Sequence, residues 1–125
     1  MAKKVLVLDD DLAVLEAVET ALTYEDFEVV TIGRTYNIFK TIEEHNPDII
    51  LLDFILEGLT GGEICRNIKS NPATRHLPVI IISAYQGNIG PLKSFGCDHF
   101  IAKPFDLIEL IDGINQTLDK KSINY

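Results

Sequence analysis

Residues 48–62, DIILLDFILEGLTGG, decide how the chain is built. Ile49, Ile50, Leu51 and Leu52 form an apolar run without alternation, the pattern of a parallel strand covered on both faces. Beyond Asp53 stand Gly58, Gly61 and Gly62, and Thr60-Gly61-Gly62-Glu63 has the spacing of a capping box. In that arrangement the Thr60 hydroxyl accepts the N–H of Glu63 while the Glu63 carboxylate reaches back to Thr60. A helix is therefore predicted from about Gly61. Asp53 becomes a single carboxylate at the carboxyl end of a central parallel strand, the edge at which open α/β sheets hold their ligands.

Outward from this unit, strand and helix alternate. Residues 5–8 read as a strand, followed by Asp9, Asp10 and Asp11. Leu12, Leu15, Val18, Glu19 and Leu22 then recur at helical spacing as far as about Tyr24, with an Asp to cap the first turn. Residues 27–31 read as a second strand, and Thr35 as the N-cap of a helix through His45 that Asn46-Pro47 terminates. Strand three is 48–52, helix three 61–70, strand four 79–82 after Pro78, and strand five 99–102. The last helix starts at the capping-box-like 106–109, with Leu107, Leu110, Ile111, Ile114 and Leu118 on one face. Two glycines and Pro91 lie in 85–95, and a helix interior is penalised by about 1 kcal/mol per Gly and about 3 for Pro. Only a short helix from about Pro91 is expected there. The alternation predicts a doubly wound α/β fold, a five-stranded parallel sheet with right-handed crossovers.

The length fits one domain, 1–125, with residues 119–125 read as a frayed tail. No apolar run approaches the ~20 residues of a membrane span, and no secretory signal precedes the first strand, so a soluble, cytoplasmic chain is expected. A net charge of −8 opposes direct binding to nucleic acid or to an anionic membrane. Cys65 and Cys97 lack metal-ligand spacing and read as two ordinary thiols of a reducing compartment.

A doubly wound sheet brings the ends of strands one and three to its switch point, so Asp9, Asp10 and Asp53 converge in one crevice. Three carboxylates there repel one another unless a hard cation neutralises them, and Mg²⁺ is the natural candidate. Capping the first helix would need only one Asp, and Asp11 suffices for that. Ser83 ends strand four and Lys103 ends strand five at the same edge. Lys103 precedes Pro104, which holds its backbone extended and makes the peptide a candidate for cis. A carboxylate nucleophile, a divalent cation, a hydroxyl and an ammonium can together bind a phosphoryl group.

With these residues the chain resembles the receiver domains of two-component response regulators over nearly its whole length. The likeness is carried by VLVLDDD at 5–11, LLD at 51–53 with Gly61 downstream, ISA at 82–84 and KPF at 103–105. It implies a flavodoxin-like (β/α)5 fold with strand order 2-1-3-4-5. Asp53 would accept phosphate from a sensor histidine kinase or histidine phosphotransfer protein. Asp9, Asp10, Asp53 and the backbone carbonyl of Ile55 would hold Mg²⁺. Ser83 resembles the switch hydroxyl, Lys103 the lysine that contacts the phosphoryl group, and Phe100 the aromatic switch. The face made by the fourth helix, strand five and the last helix would signal to a downstream protein. The chain would be a monomer or a weak phosphorylation-dependent dimer, and no enzyme beyond catalysing its own phosphorylation and slow dephosphorylation. Ile55 and Tyr85, bulky at the positions flanking the path of attacking water, imply slow hydrolysis. Leu56-Glu57 stands where the family has Met-Pro, and Thr60 where it has Asp; neither change removes a phosphotransfer group.

Two other readings use the same strand end. A haloacid-dehalogenase-like phosphatase would employ Asp9 and Asp11, but such enzymes need a larger domain and a later acidic loop. A flavin binder would want hydroxyls and amides where three aspartates stand. His45, His76 and His99 are scattered and read as surface or capping residues, Phe27, Phe39, Phe95 and Phe105 as core, and Glu16, Glu19, Glu25, Asp26 and Glu28 as a solvated face.

Overall fold

The apolar run ahead of Asp53 is strand β3 (Ile49–Asp53), and it lies at the centre of the sheet. The computed structural model describes residues 2–56, 60–84 and 95–123, the last four as backbone. β3 pairs with β1 (Lys4–Leu8) on one side and with β4 (Val79–Ser83) on the other. β2 (Glu28–Ile32) and β5 (His99–Ala102) form the edges, which gives a parallel sheet in the order 2-1-3-4-5.

Among the described residues four helices cover it: α1 (Leu12–Tyr24), α2 (Ile38–His45), α3 (Gly61–Ser70) and α4 (Leu107–Ile123). Residues alternate across each strand, so Ile49 and Leu51 meet Leu15, Val18 and Leu22 of α1 and Leu110 and Ile114 of α4. Ile50 and Leu52 meet Ile38 and Ile42 of α2 and Ile64, Cys65 and Ile68 of α3 on the other face. Ile49, Ile50, Leu51 and Leu52 are each 0% exposed, and burying each contributes about 1.5–3 kcal/mol. That burial fixes the strand, and with it the carboxylate at its end. Lys69 of α3 adds a polar tie: its ammonium donates to the carbonyls of Arg75 (3.3 Å) and Leu77 (2.6 Å) and pairs with Asp98 (2.8 Å). Asp98 also accepts the N–H of Val79, which joins α3 to the entries of β4 and β5.

Several sequence expectations shift. β2 begins at Glu28 rather than Phe27, β3 extends to Asp53 and β4 to Ser83, because ladder pairing carries the strands to the sheet edge. The N-cap of α2 is Asn37, not Thr35: the Asn37 side chain accepts the N–H groups of Phe39 and Lys40. Thr35 sits too far ahead for that and instead bonds the Thr41 hydroxyl at 2.8 Å and accepts the N–H of Asn37. Leu12 and Leu107 match the apolar spacing of their helices but are exposed, each standing in the first turn of its helix, and Leu107 borders the groove between α1 and α4. The backbone from Asp119, expected to fray, is helical as far as Ile123. The short helix expected from Pro91, together with Tyr85 and Glu57, lies outside the described residues. Among the described residues no helix is long and apolar enough to cross a membrane.

Candidate functional site

The ends of β1 and β3 are adjacent, and this brings the carboxylates of Asp9, Asp10 and Asp53 within 4.8 Å of one another. Asp9 is buried. Its backbone N–H donates to Ile32 at 3.2 Å, which ties it to the end of β2, and its Oδ1 accepts the N–H of Asp11 at 2.9 Å. Asp11 faces the other way: its Oδ1 accepts the N–H groups of Ala13 (2.9 Å) and Val14 (3.4 Å) and caps α1. Asp10, between them, is exposed. The aspartate run therefore divides its labour by backbone geometry, two side chains facing the crevice and one the helix.

Asp53 is 8% exposed and closes β3 opposite Ile82. The next residue, Phe54, donates its N–H to the Ile82 carbonyl and accepts the N–H of Gly61, both at 2.8 Å. The loop after Asp53 thus opens and closes on one residue. Gly61 is required by space: a Cβ there would lie 2.2 Å from the Asp53 carbonyl oxygen. The predicted capping box is formed, Glu63 N–H to Thr60 at 3.1 Å and Thr60 N–H to Glu63 at 3.0 Å.

Ser83, fully buried, ends β4 one residue past the register partner of Asp53, and its carbonyl accepts the N–H of Lys103 at 2.8 Å. Lys103 follows β5, with a cis bond to Pro104. Its ammonium lies 3.3 Å from Asp9 Oδ2 and 3.3 Å from Asp53 Oδ1. Phe100 is half-buried against the α2/α3 side of the core, in register with Ile81. Ile55 exposes its side chain beside the crevice.

Burial first, and then the charge of Asp9, push the Asp53 carboxyl above its ordinary value of 3.8; Lys103 opposes them and Asp10 adds to them. Burial works against the charge of Lys103, yet the pull of Asp53 and Asp9 prevails and raises it above 10.5. One ammonium is held more firmly by two acids while one of those acids stays hard to ionise, so positive charge is short in the crevice. Three converging carboxylates with a single lysine are the donor set that a hard, oxygen-seeking divalent cation such as Mg²⁺ takes. Among the described residues they are the one acidic or metal-ligating group of this kind.

The remaining candidates keep their plainer roles. Burial raises both thiols, Cys65 to about 12, which leaves neither a ready nucleophile. Glu16, Glu19, Glu25, Asp26 and Glu28 are exposed, and the four phenylalanines read as core are partly buried against it. Sequence reasoning missed the partnership of Phe54, Gly62 and Phe95: a Cβ on Gly62 would meet the Phe95 ring at 2.6 Å and that of Phe54 at 2.9 Å. Two successive glycines in the first turn of a helix are costly, and this was the available signal of a close approach.

The fold has counterparts among known proteins. Residues 5–115 match the model of the response regulator receiver domain family. The response regulator PleD of Caulobacter vibrioides is 38% identical over 113 residues, 88% of this chain and 25% of PleD. The phosphate regulon transcriptional regulatory protein PhoB of Rhizobium meliloti is 32% identical over 120 residues, 94% of this chain and 53% of PhoB. The response regulator TrrA of Thermotoga maritima, solved in complex with Mg²⁺-BeF, superimposes with a TM-score of 0.82 at 25% identity, covering 92% of this chain and 98% of TrrA. The chain belongs to the response regulator receiver domain family of two-component systems. It spans a quarter of PleD and about half of PhoB. Such domains are signalling modules, and response regulators in general interact with histidine kinases and downstream effectors. The phosphatase reading falls with the family and with Asp11, the acid it needed, which is engaged as a helix cap.

Proposed function

We propose that Asp53 is the phosphoacceptor of a two-component phosphorelay and that this chain is a switch in the cytoplasm. The observation that carries the reading is the position of the Lys103 ammonium, 3.3 Å from both Asp53 and Asp9, in a group of three carboxylates within 4.8 Å. A carboxylate oxygen of Asp53 forms a bond to the phosphorus of a phosphohistidine. The P–N bond breaks, and the leaving imidazole keeps its electron pair and takes a proton. Asp9, Asp10, Asp53 and the Ile55 carbonyl would hold Mg²⁺, which when bound supplies positive charge to the phosphoryl oxygens. Lys103 neutralises the same oxygens from the β5 side, and Ser83 donates a hydrogen bond to them. The binding of Mg²⁺-BeF by TrrA supports this assignment by likeness.

The donor would be a sensor histidine kinase or histidine phosphotransfer protein. Drawing Ser83 toward the phosphoryl group would free space for Phe100 to turn, and the face of β5 and α4 would signal that change to a downstream protein. The chain itself acts as monomer or weak phosphorylation-dependent dimer, and turns over no separate substrate. Incubation with acetyl phosphate and Mg²⁺ followed by mass-spectrometric mapping tests the reading. Modification at Asp53 is expected; modification at Asp9, or none, would overturn it.

A further inference from the structure

Phe95 reaches the crevice through one neighbour. Its ring centroid is 6.1 Å from that of Phe54, tilted by 45°, and Phe54 is the residue bonded directly to Asp53. The ring occupies the space that a side chain at position 62 would fill, 2.6 Å from where a Gly62 Cβ would stand. Arg66, one turn further along α3, places its guanidinium 4.7 Å from the ring centroid. The Cys65 thiol donates to the Phe95 carbonyl at 3.4 Å. Three positions of one helix therefore grip Phe95, and a fourth contact passes to Phe54. Three residues on, Asp98 is fixed at the entry of β5 by its N–H bond to Val79 (2.8 Å) and its pair with Lys69.

The backbone of Phe54 is held on both sides. Its N–H is held by Ile82 and its carbonyl by Gly61. A change at Phe95 reaches Phe54 through the ring contact, and Phe54 is peptide-bonded to the residue that carries the reactive carboxylate, whose placement governs rate.

We propose that Phe95 is a positioning residue for phosphoryl transfer: by packing between Gly62 and Arg66 it braces Phe54, and through it the aim of Asp53. This rests on the reading of Asp53 as phosphoacceptor. The fit of ring to glycine is reciprocal, so Phe95 cannot be shortened without unbracing Phe54, and Gly62 cannot be enlarged without displacing Phe95.

The test uses acetyl phosphate and Mg²⁺ with the whole chain, and measures the rate of Asp53 modification against donor concentration and against Mg²⁺ concentration, normalised to the folded fraction. Phe95→Leu is expected to lower the maximal rate about five- to tenfold, with half-saturating Mg²⁺ unchanged, as misplacement without loss of a ligand predicts. Phe95→Tyr, which keeps the ring, should retain the wild-type rate. Arg66→Ala, which loosens the ring without emptying its space, keeps the test alive should Phe95→Leu fold poorly, and should slow the reaction about twofold. Wild-type rates in both Phe95→Leu and Arg66→Ala would overturn the proposal, as would Phe95→Tyr failing like Phe95→Leu. Failure of the wild-type chain to be modified at Asp53 would instead strike the phosphoacceptor reading itself.

Discussion

The ammonium of Lys103 stands 3.3 Å from Asp53 Oδ1 and 3.3 Å from Asp9 Oδ2, so one cation arriving from the β5 side serves carboxylates from two other strands. Asp53 nevertheless stays harder to ionise than an ordinary aspartate, because burial and the charge of Asp9 outweigh the lysine. The crevice is electrostatically incomplete, and that shortage organises the expected behaviour of its variants.

Asp53→Asn should abolish labelling by acetyl phosphate, since the amide keeps the shape and loses the nucleophile. It should also stabilise the metal-free protein. The raised folded-state value means that the native state holds its proton more tightly than the unfolded chain, so wild-type stability falls as pH rises above about 3.8 through the folded value. The advantage of Asp53→Asn should therefore be largest at neutral pH and shrink toward pH 4. Thermal melts in chelator across that range check the sign.

Lys103→Met should act oppositely. Removing the ammonium leaves Asp9 and Asp53 buried without it, at a cost on the order of 2 kcal/mol in the metal-free protein at pH 7. Because Lys103 is raised above 10.5, its contribution is complete below that value and is lost as pH climbs through the folded value. Added Mg²⁺ should recover more stability in Lys103→Met than in wild type. Equal Mg²⁺ responses in paired melts would contradict the shortage of positive charge.

Asp10→Asn should leave the melting temperature of the metal-free protein nearly unchanged, because Asp10 is exposed. Mg²⁺ affinity should drop about tenfold or more through loss of a charged ligand. Unchanged affinity by titration calorimetry would exclude Asp10 as a direct ligand.

Gly61→Ala should cost at least about 2 kcal/mol, since its methyl would sit 2.2 Å from the Asp53 carbonyl oxygen and backbone must move. Phosphorylation should fall together with stability, because the displaced atoms belong to Asp53. Denaturant midpoints and labelling rates measured on the same samples check that the two travel together.

Ile55→Asn should shorten the lifetime of the phosphorylated form. The Ile55 side chain is 65% exposed beside the crevice, and an amide there can orient water where an aliphatic chain excludes it. Decay followed after removal of the donor should accelerate several-fold, and an unaltered decay would count against a water path along this side chain.

Much of the molecule is written in local pattern. Unbroken apolar runs at 5–8, 49–52 and 79–82 could be stable only as strands covered on both faces, which forces a parallel sheet with helices between its strands. The capping box at Thr60 and the Asp11 cap are contacts within four residues, so sequence spacing alone determined them. The convergence of Asp9, Asp10, Asp53 and Lys103 was legible because a parallel sheet puts every strand's carboxyl end at one edge. Contacts between distant elements are not local, and spacing is silent about them. Only the packed structure decided that Leu12 and Leu107 overhang the core and that Gly61 lies against the Asp53 carbonyl, whereas the Asn37 cap of α2 is a local contact that the choice of Thr35 passed over. The same holds for Phe95, a residue whose composition says only core: its place between Gly62, Arg66 and Phe54 follows from close packing of surfaces 29 to 41 residues apart in the chain.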